Sequence, residues 1–167
     1  MTDIQVDGLT FTFPASWKAC KYDEWAFYRN QFSKMWPEIK AVDLIAIDGQ
    51  VVWFIEVKDY RQQSRTKTID LAEEVAKKVF CTLAAILPAK SHASDSLEGD
   101  FARRIAAGHS LRVVLHLQQP MKHSKLFPRA IDPSKIQLQL RQIVKPIDPH
   151  PKVVESTQMQ DLAWTVR

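Results

Sequence analysis

Two runs rich in aliphatic, β-branched and aromatic residues, Ala41-Val42-Asp43-Leu44-Ile45-Ala46-Ile47 and Val51-Val52-Trp53-Phe54-Ile55-Glu56-Val57-Lys58, stand on either side of Asp48-Gly49-Gln50. An Asp-Gly pair between two such runs is the strongest short-range signal for a β-hairpin. Both runs are apolar at nearly every position instead of at alternate ones, so each face of the resulting sheet needs a cover. That points to a layered α/β architecture and away from an antiparallel sheet with one wet face. With 167 residues, 46% hydrophobic and 25% charged, the chain has the material for one domain of this kind. It lacks the polar bias of a disordered chain and the repeats of a fibrous one.

The flanking sequence supplies the rest of the layers. Leu9, Phe11 and Phe13 alternate with polar residues, which predicts one short edge strand over 6–13, stopped by Pro14. Trp25, Tyr28, Phe32 and Met35 recur at spacings of three and four, predicting a helix over 22–35 that ends at Pro37. After a polar loop over 59–68, an i, i+3, i+4 stripe from Ala72 through Val79, Phe80 and Leu83 to Ile86 predicts an amphipathic helix ending near Pro88. Residues 91–99 read as a mobile loop, 101–107 as a short helix with Gly108 as its stop, and 111–117 as a buried strand reached by a crossover. Asp132 is placed to cap a further helix that opens on Pro133 and turns Ile136, Leu140 and Ile143 inward. Residues 153–154 and 162–166 offer one or two more strands.

The charges inside the hairpin are the chemically informative part. If Asp48 and Gly49 are the central turn residues, Ile47 pairs with Gln50 and Asp43 with Phe54. Side chains alternate with period two, so Asp43, Glu56 and Lys58 then share one face, with the two carboxylates as diagonal neighbours. Unpaired, each such charge among apolar strands costs on the order of several kcal/mol, so the set needs a cation, mutual pairing or an open cleft. A hard divalent ion, Mg²⁺ or Mn²⁺, suits two carboxylates, the backbone carbonyl of Val57 and water. Lys58 beside it would hold or deprotonate an attacking water. The plainer alternative is a structural salt bridge at a strand end.

Asp43 followed across a hairpin by Glu56-Val57-Lys58 resembles the PD-(D/E)XK, or restriction-endonuclease-like, nucleases. The spacing Asp-x12-Glu-x-Lys is similar to that of archaeal Holliday-junction resolvases and some restriction enzymes. The resemblance implies a restriction-endonuclease-like αβββαβ core, with a mixed sheet flanked by helices, over about 22–118. The whole of 1–167 would then be a single nuclease-like domain in which 119–167 is a C-terminal helix and strand extension. By the same resemblance Asp43 and Glu56 are metal ligands with the Val57 carbonyl, Lys58 is the catalytic lysine, the cofactor is Mg²⁺ or Mn²⁺, and the partner is DNA. Many members add an acid from the preceding helix, for which Glu24 is the first candidate and Glu38 the second. Tyr60, Arg61 and Gln62, just after the motif, would touch phosphate. Val42 stands where the family often has Pro.

A chain of this length has little room for a separate target-recognition domain, so structure-selective or weakly sequence-specific cleavage is expected, with a homodimer supplying two sites for a duplex. An RNase of the same fold, and a non-catalytic nuclease-like module that binds nucleic acid or protein, are the alternatives. A net charge of +4 permits polyanion binding without demanding it. Glu73 and Glu74 precede Lys77 and Lys78 by four residues, the pattern of a solvated helix face. Arg103, Arg104, Lys122, Lys125 and Arg129 could form a DNA-facing patch, but scattered, solubilising surface bases are the plainer reading. His109, His116 and His123, seven residues apart, match no zinc pattern, and Trp25, Trp36 and Trp53 read as core. Cys20 and Cys81 read as buried, reduced thiols. No apolar run approaches the ~20 residues of a membrane span and the N-terminus lacks a signal-peptide pattern, so a cytoplasmic protein without membrane contact is expected.

Overall fold

The structure is a computed structural model that describes residues 1–121 and 129–167. Its main sheet has five strands: β3 (Lys18–Lys21), β4 (Leu44–Asp48), β5 (Val51–Asp59), β6 (Ser110–Gln118) and β7 (Lys152–Val154), side by side in that order. The first three are antiparallel, whereas β6 and β7 join in parallel. A parallel neighbour needs a crossover. Helices α2 (Leu71–His92) and α3 (Ser96–Ala106) provide it between β5 and β6, and α4 (Pro133–Val144) lies between β6 and β7. A second, three-stranded sheet is built from β1 (Thr2–Val6), β2 (Leu9–Phe13) and β8 (Thr165–Val166), in the order β1-β2-β8.

The two-sided apolar hairpin is accounted for by two cores. Ile45, Ile47, Val52 and Phe54 pack with the helices, including Val75 and Val79 of α2 and Ile105 of α3. On the opposite face Leu44, Ala46, Ile55 and Val57 pack with Phe11, Phe13, Trp17 and Trp164 of the small sheet and its surroundings. Trp17 stacks on Trp53 with ring centroids 6.1 Å apart, and Trp164 meets both edge-on at 5.8 and 5.2 Å.

Several expectations are corrected. Asp48 pairs with Val51, so Gly49 and Gln50 are the central turn residues and only Gly49 has positive φ, at 58°. That is the glycine-first arrangement of a II′ hairpin turn. The register has moved by an even number of residues and the facing is preserved. One step beyond the last pair, Leu44 with Ile55, Asp43 comes straight across from Glu56. The segment 6–13 is not one strand. Asp7 and Gly8, with φ of 48° and 79°, turn it back between β1 and β2, a second Asp-Gly hairpin.

The helix expected over 22–35 is broken into a 3₁₀ turn (Tyr22–Glu24), α1 (Ala26–Asn30) and another 3₁₀ turn (Phe32–Lys34), because Trp25 is extended (φ −59°, ψ 133°). Glu98 of α3 explains the restart, accepting the Ala26 and Phe27 N–H groups at 2.6 and 3.0 Å. Met35 and Trp36, expected inward, are exposed. Helix α2 runs through Pro88 to His92, and the Ala84 carbonyl that Pro88 leaves without an N–H partner belongs to an exposed residue. Phe80 of its expected apolar stripe faces solvent. Residues 91–99 are helical except for Ala93–Asp95, since Asp95 caps α3 by accepting from Leu97 and Glu98. Gly108 is needed for a close approach, not a left-handed stop: a Cβ there would sit 2.5 Å from Val52 Cγ2. In α4 Asp132 caps as expected, but Val144 is buried where Ile143 was expected, and Ile143 is exposed.

Candidate active site

Strand β5 carries Glu56 and Lys58 on its helix-facing side, in phase with Val52 and Phe54. Asp43, just before β4, is fixed by its backbone and its side chain: its carbonyl accepts the Tyr22 N–H at 3.0 Å, and its Oδ2 accepts the Val57 N–H at 2.7 Å. Lys58 Nζ lies 3.1 Å from Glu56 Oε1 and 3.0 Å from Glu74 Oε1. Lys78 Nζ donates to the same Glu56 oxygen at 2.6 Å. Asp70 caps α2 and seats Leu71, Ala72, Val75 and Val79 on the sheet, which brings Glu74 and Lys78 down onto the end of β5. Lys67 and Arg65, from the loop before α2, reach Glu74 at 2.6 and 2.8 Å. The reading of this helix as a solvated face therefore holds for Glu73, which is exposed, and for Lys77, which meets Glu38 at the surface at 2.9 Å. It fails for Glu74 and Lys78, which α2 turns into the site.

Burial and the neighbouring Asp43 carboxylate push the Glu56 carboxyl up to about 7, against the pull of Lys78 and Lys58. Asp43 is raised by burial as well, with Lys78 and the Val57 N–H working the other way. Burial also disfavours ionised Glu74, yet hydrogen bonds from Lys67, Lys58 and Arg65 win and hold it at about 2. The Lys58 ammonium loses hydration on burial, but Glu56 and Glu74 outweigh that and raise its pKa above the ordinary lysine value. A lysine held protonated between two carboxylates in this way is a hydrogen-bond donor.

The acid expected from the preceding helix is placed differently. Glu24 pairs with Lys21 at 2.7 Å and does not line the site. Its neighbour Asp23 does, along with Asp43, Tyr28, Lys40, Glu74 and Lys78, in a cleft of about 550 Å³. Burial first, and then Asp43, raise the Asp23 carboxyl. Glu38 lies on the same rim. A smaller cleft of about 240 Å³ opens on the other flank between Lys58, Tyr60, Arg65 and Lys67. Of the residues expected to touch phosphate, Arg61 is locked on Asp59 through contacts of 2.6 to 3.1 Å, the Tyr60 hydroxyl accepts from Arg65 at 2.9 Å, and Gln62 is exposed. Sequence reasoning missed Asp23, Arg65, Lys67, Glu74 and Lys78. The usable signal for the last two was that Glu56 and the apolar side of α2 must face the same core.

Asp43 and Glu56 are the two carboxylates that could hold a divalent cation. Glu56 is 1% exposed, and its Oε2 is buried without a hydrogen-bond partner among the described residues. Among those residues no three His, Cys, Asp or Glu side chains converge as a metal cluster. The remaining candidates are structural or peripheral. His116 is buried edge-on against Phe11, His109 is exposed, Arg103 pairs with Asp100, Arg104 is exposed, and Arg129 pairs with Glu155 at 2.8 Å. Lys122, His123 and Lys125 lie outside the described residues. Cys20 and Cys81 are free and half-buried, and burial pushes the Cys20 thiol up to about 12. Among the described residues no helix is long and apolar enough to cross a membrane.

Against known proteins, no family model matches the chain and no solved structure matches it. It is 28% identical over 207 aligned positions to a cysteine–tRNA ligase of Neisseria meningitidis serogroup A, an alignment that takes in 99% of this chain. The chain spans only 30% of that protein's length. Most of the ligase therefore has no counterpart here.

Proposed function

We propose that this chain is a Mg²⁺- or Mn²⁺-dependent endonuclease with a restriction-endonuclease-like core, hydrolysing phosphodiester bonds in DNA with structural or weak sequence selectivity. The observation that carries this reading is the pair Asp43 and Glu56, opposed across one hairpin, with a buried unpartnered Glu56 oxygen and Lys58 beside it. Asp43, Glu56 and the Val57 carbonyl would hold the ion, which when bound polarises a phosphoryl oxygen and makes water a better nucleophile. Lys58 is steadied between Glu56 and Glu74, and donates to the scissile phosphate or to the water that attacks it. Lys40, Lys67 and Lys77 on the cleft rim attract the flanking phosphates.

RNA is the second reading for the same site, favoured by the likeness to a protein named for a tRNA reaction. Incubating the purified chain with supercoiled plasmid and with labelled RNA, in Mg²⁺ or Mn²⁺ and in EDTA, tests both. Plasmid nicking that needs metal and disappears in Asp43→Asn is the expected result. Cleavage confined to RNA selects the second reading, and no cleavage of either substrate with metal overturns both.

A further inference from the structure

Two ammonium groups share Glu56 Oε1, and they are not equivalent. Lys58 has a second anchor in Glu74 at 3.0 Å, whereas Lys78, at 2.6 Å from Glu56, has no other hydrogen-bond partner among the described residues. Lys78 also acts electrostatically on Asp43, so its charge serves both carboxylates of the pair. Its side chain is 15% exposed and lines the 550 Å³ cleft, where Asp43, Lys40 and Lys67 also open.

We propose that Lys78 is a displaceable counter-ion: it neutralises the Asp43–Glu56 pair until a divalent cation seats there, then swings into the cleft and grips a phosphate of the substrate. This rests on the nuclease reading and adds a division of labour to it. Like charges a few ångströms apart repel, so an ion on Glu56 weakens the hold on Lys78, and Lys58 stays in place because Glu74 keeps it. The freed ammonium is on a flexible four-carbon stem beside an open cleft, where a phosphate offers it the partner that the metal has taken. Coupling of this kind is reciprocal. A polyanion that draws Lys78 into the cleft must tighten the metal by the same factor as the metal tightens the polyanion.

The test is calorimetric titration of Mn²⁺ into the wild type, Lys78→Met, Lys78→Gln and Lys78→Arg, with and without a saturating cleavage-resistant phosphorothioate duplex. Lys78→Gln keeps a donor for Glu56 and carries the test if Lys78→Met fails to fold by circular dichroism. Without DNA, Met and Gln variants should bind Mn²⁺ about ten-fold more tightly than wild type, the low end of the repulsion between neighbouring charges at a partly buried site. Lys78→Arg should bind as weakly as wild type. The duplex should tighten Mn²⁺ more on the wild type than on the Met and Gln variants, where only the phosphate's own contact with the ion remains. Folded variants whose Mn²⁺ affinity equals or falls below that of wild type overturn the inference. In that case Mn²⁺ binding that is still lost in Asp43→Asn leaves the nuclease reading standing, whereas no Mn²⁺ binding by any form removes both.

Discussion

Replacing Glu56 by glutamine should stabilise the metal-free protein at pH 8 and leave it nearly unchanged at pH 5. In the fold the Glu56 carboxyl titrates at about 7 instead of the ordinary 4.5. The folded state therefore binds this proton more tightly than the unfolded chain does. Between those two pH values folding takes up a proton, and stability falls as pH rises through the window, levelling above it. At about 1.4 kcal/mol per pH unit the loss is roughly 3 kcal/mol by pH 8, and Glu56 is too deeply buried for solvent to screen it much. Glutamine keeps the shape and an acceptor oxygen for Lys58 and Lys78 but deprives them of a counter-charge, so the net gain expected is about 1–3 kcal/mol. Urea denaturation of both proteins in EDTA at pH 5, 6, 7 and 8 reads it directly. The curves should converge at pH 5 and separate steadily above it. A variant less stable than wild type at pH 8, or a gap independent of pH, would show that Glu56 is comfortably paired as an anion and refute the reasoning.

Other perturbations probe the neighbouring groups. On the proposed function, Lys58→Ala should still bind Mn²⁺ and DNA but lose cleavage by about a hundred-fold or more in single-turnover assays, because the contact it would remove is one made in the transition state. Glu74→Ala strips Lys58, Lys67 and Arg65 of one shared, buried anion and should cost about 3 kcal/mol in chemical denaturation at neutral pH. Because Glu74 is held at about 2 in the fold, its contribution is complete above the ordinary 4.5 and fades as pH drops toward 2, so wild type and variant should approach one another in acid. Gly108→Ala drives a methyl against Val52 and should lower stability by about 1–3 kcal/mol, seen as a drop in the urea midpoint with an unchanged slope.

What could be read in the sequence was local or had a strict period. The 48–50 hairpin, the start of α4 at Asp132-Pro133 and the body of α2 each rest on a few adjacent residues or on an apolar stripe, and all are present. Asp43 and Glu56 remained on one face despite the altered register because the shift was even. Elsewhere tertiary contacts decided. Nothing within 22–35 announces that Glu98, far along the chain, will cap a new helix at Ala26. Asp7-Gly8 was as strong a turn signal as Asp48-Gly49, but the short polar run of β1 hid the strand before it. The polar half of the site depended on which way α2 turns Glu74 and Lys78, and i, i+4 pairing on a helix looks the same whether the pair meets water or the end of a strand.

The small sheet ties together parts of the chain that lie far apart. Thr10 and Arg167 exchange backbone hydrogen bonds at 2.7 and 3.1 Å, and Phe11 pairs with Val166. Closing a loop of almost the whole chain carries an entropic cost that nearby pairings do not, so in folding this strand should arrive late, after the central hairpin has found α2. Until it does, the rear of the strand that carries Glu56 has Ile55 and Val57 without Trp164 and Val166 against them. The strand that carries Glu56 is thus buttressed from behind by residues from the far end of the chain. Lesions there should register as aggregation of a half-covered sheet or, on the proposed function, as impaired cleavage, although neither residue of β8 lines the cleft.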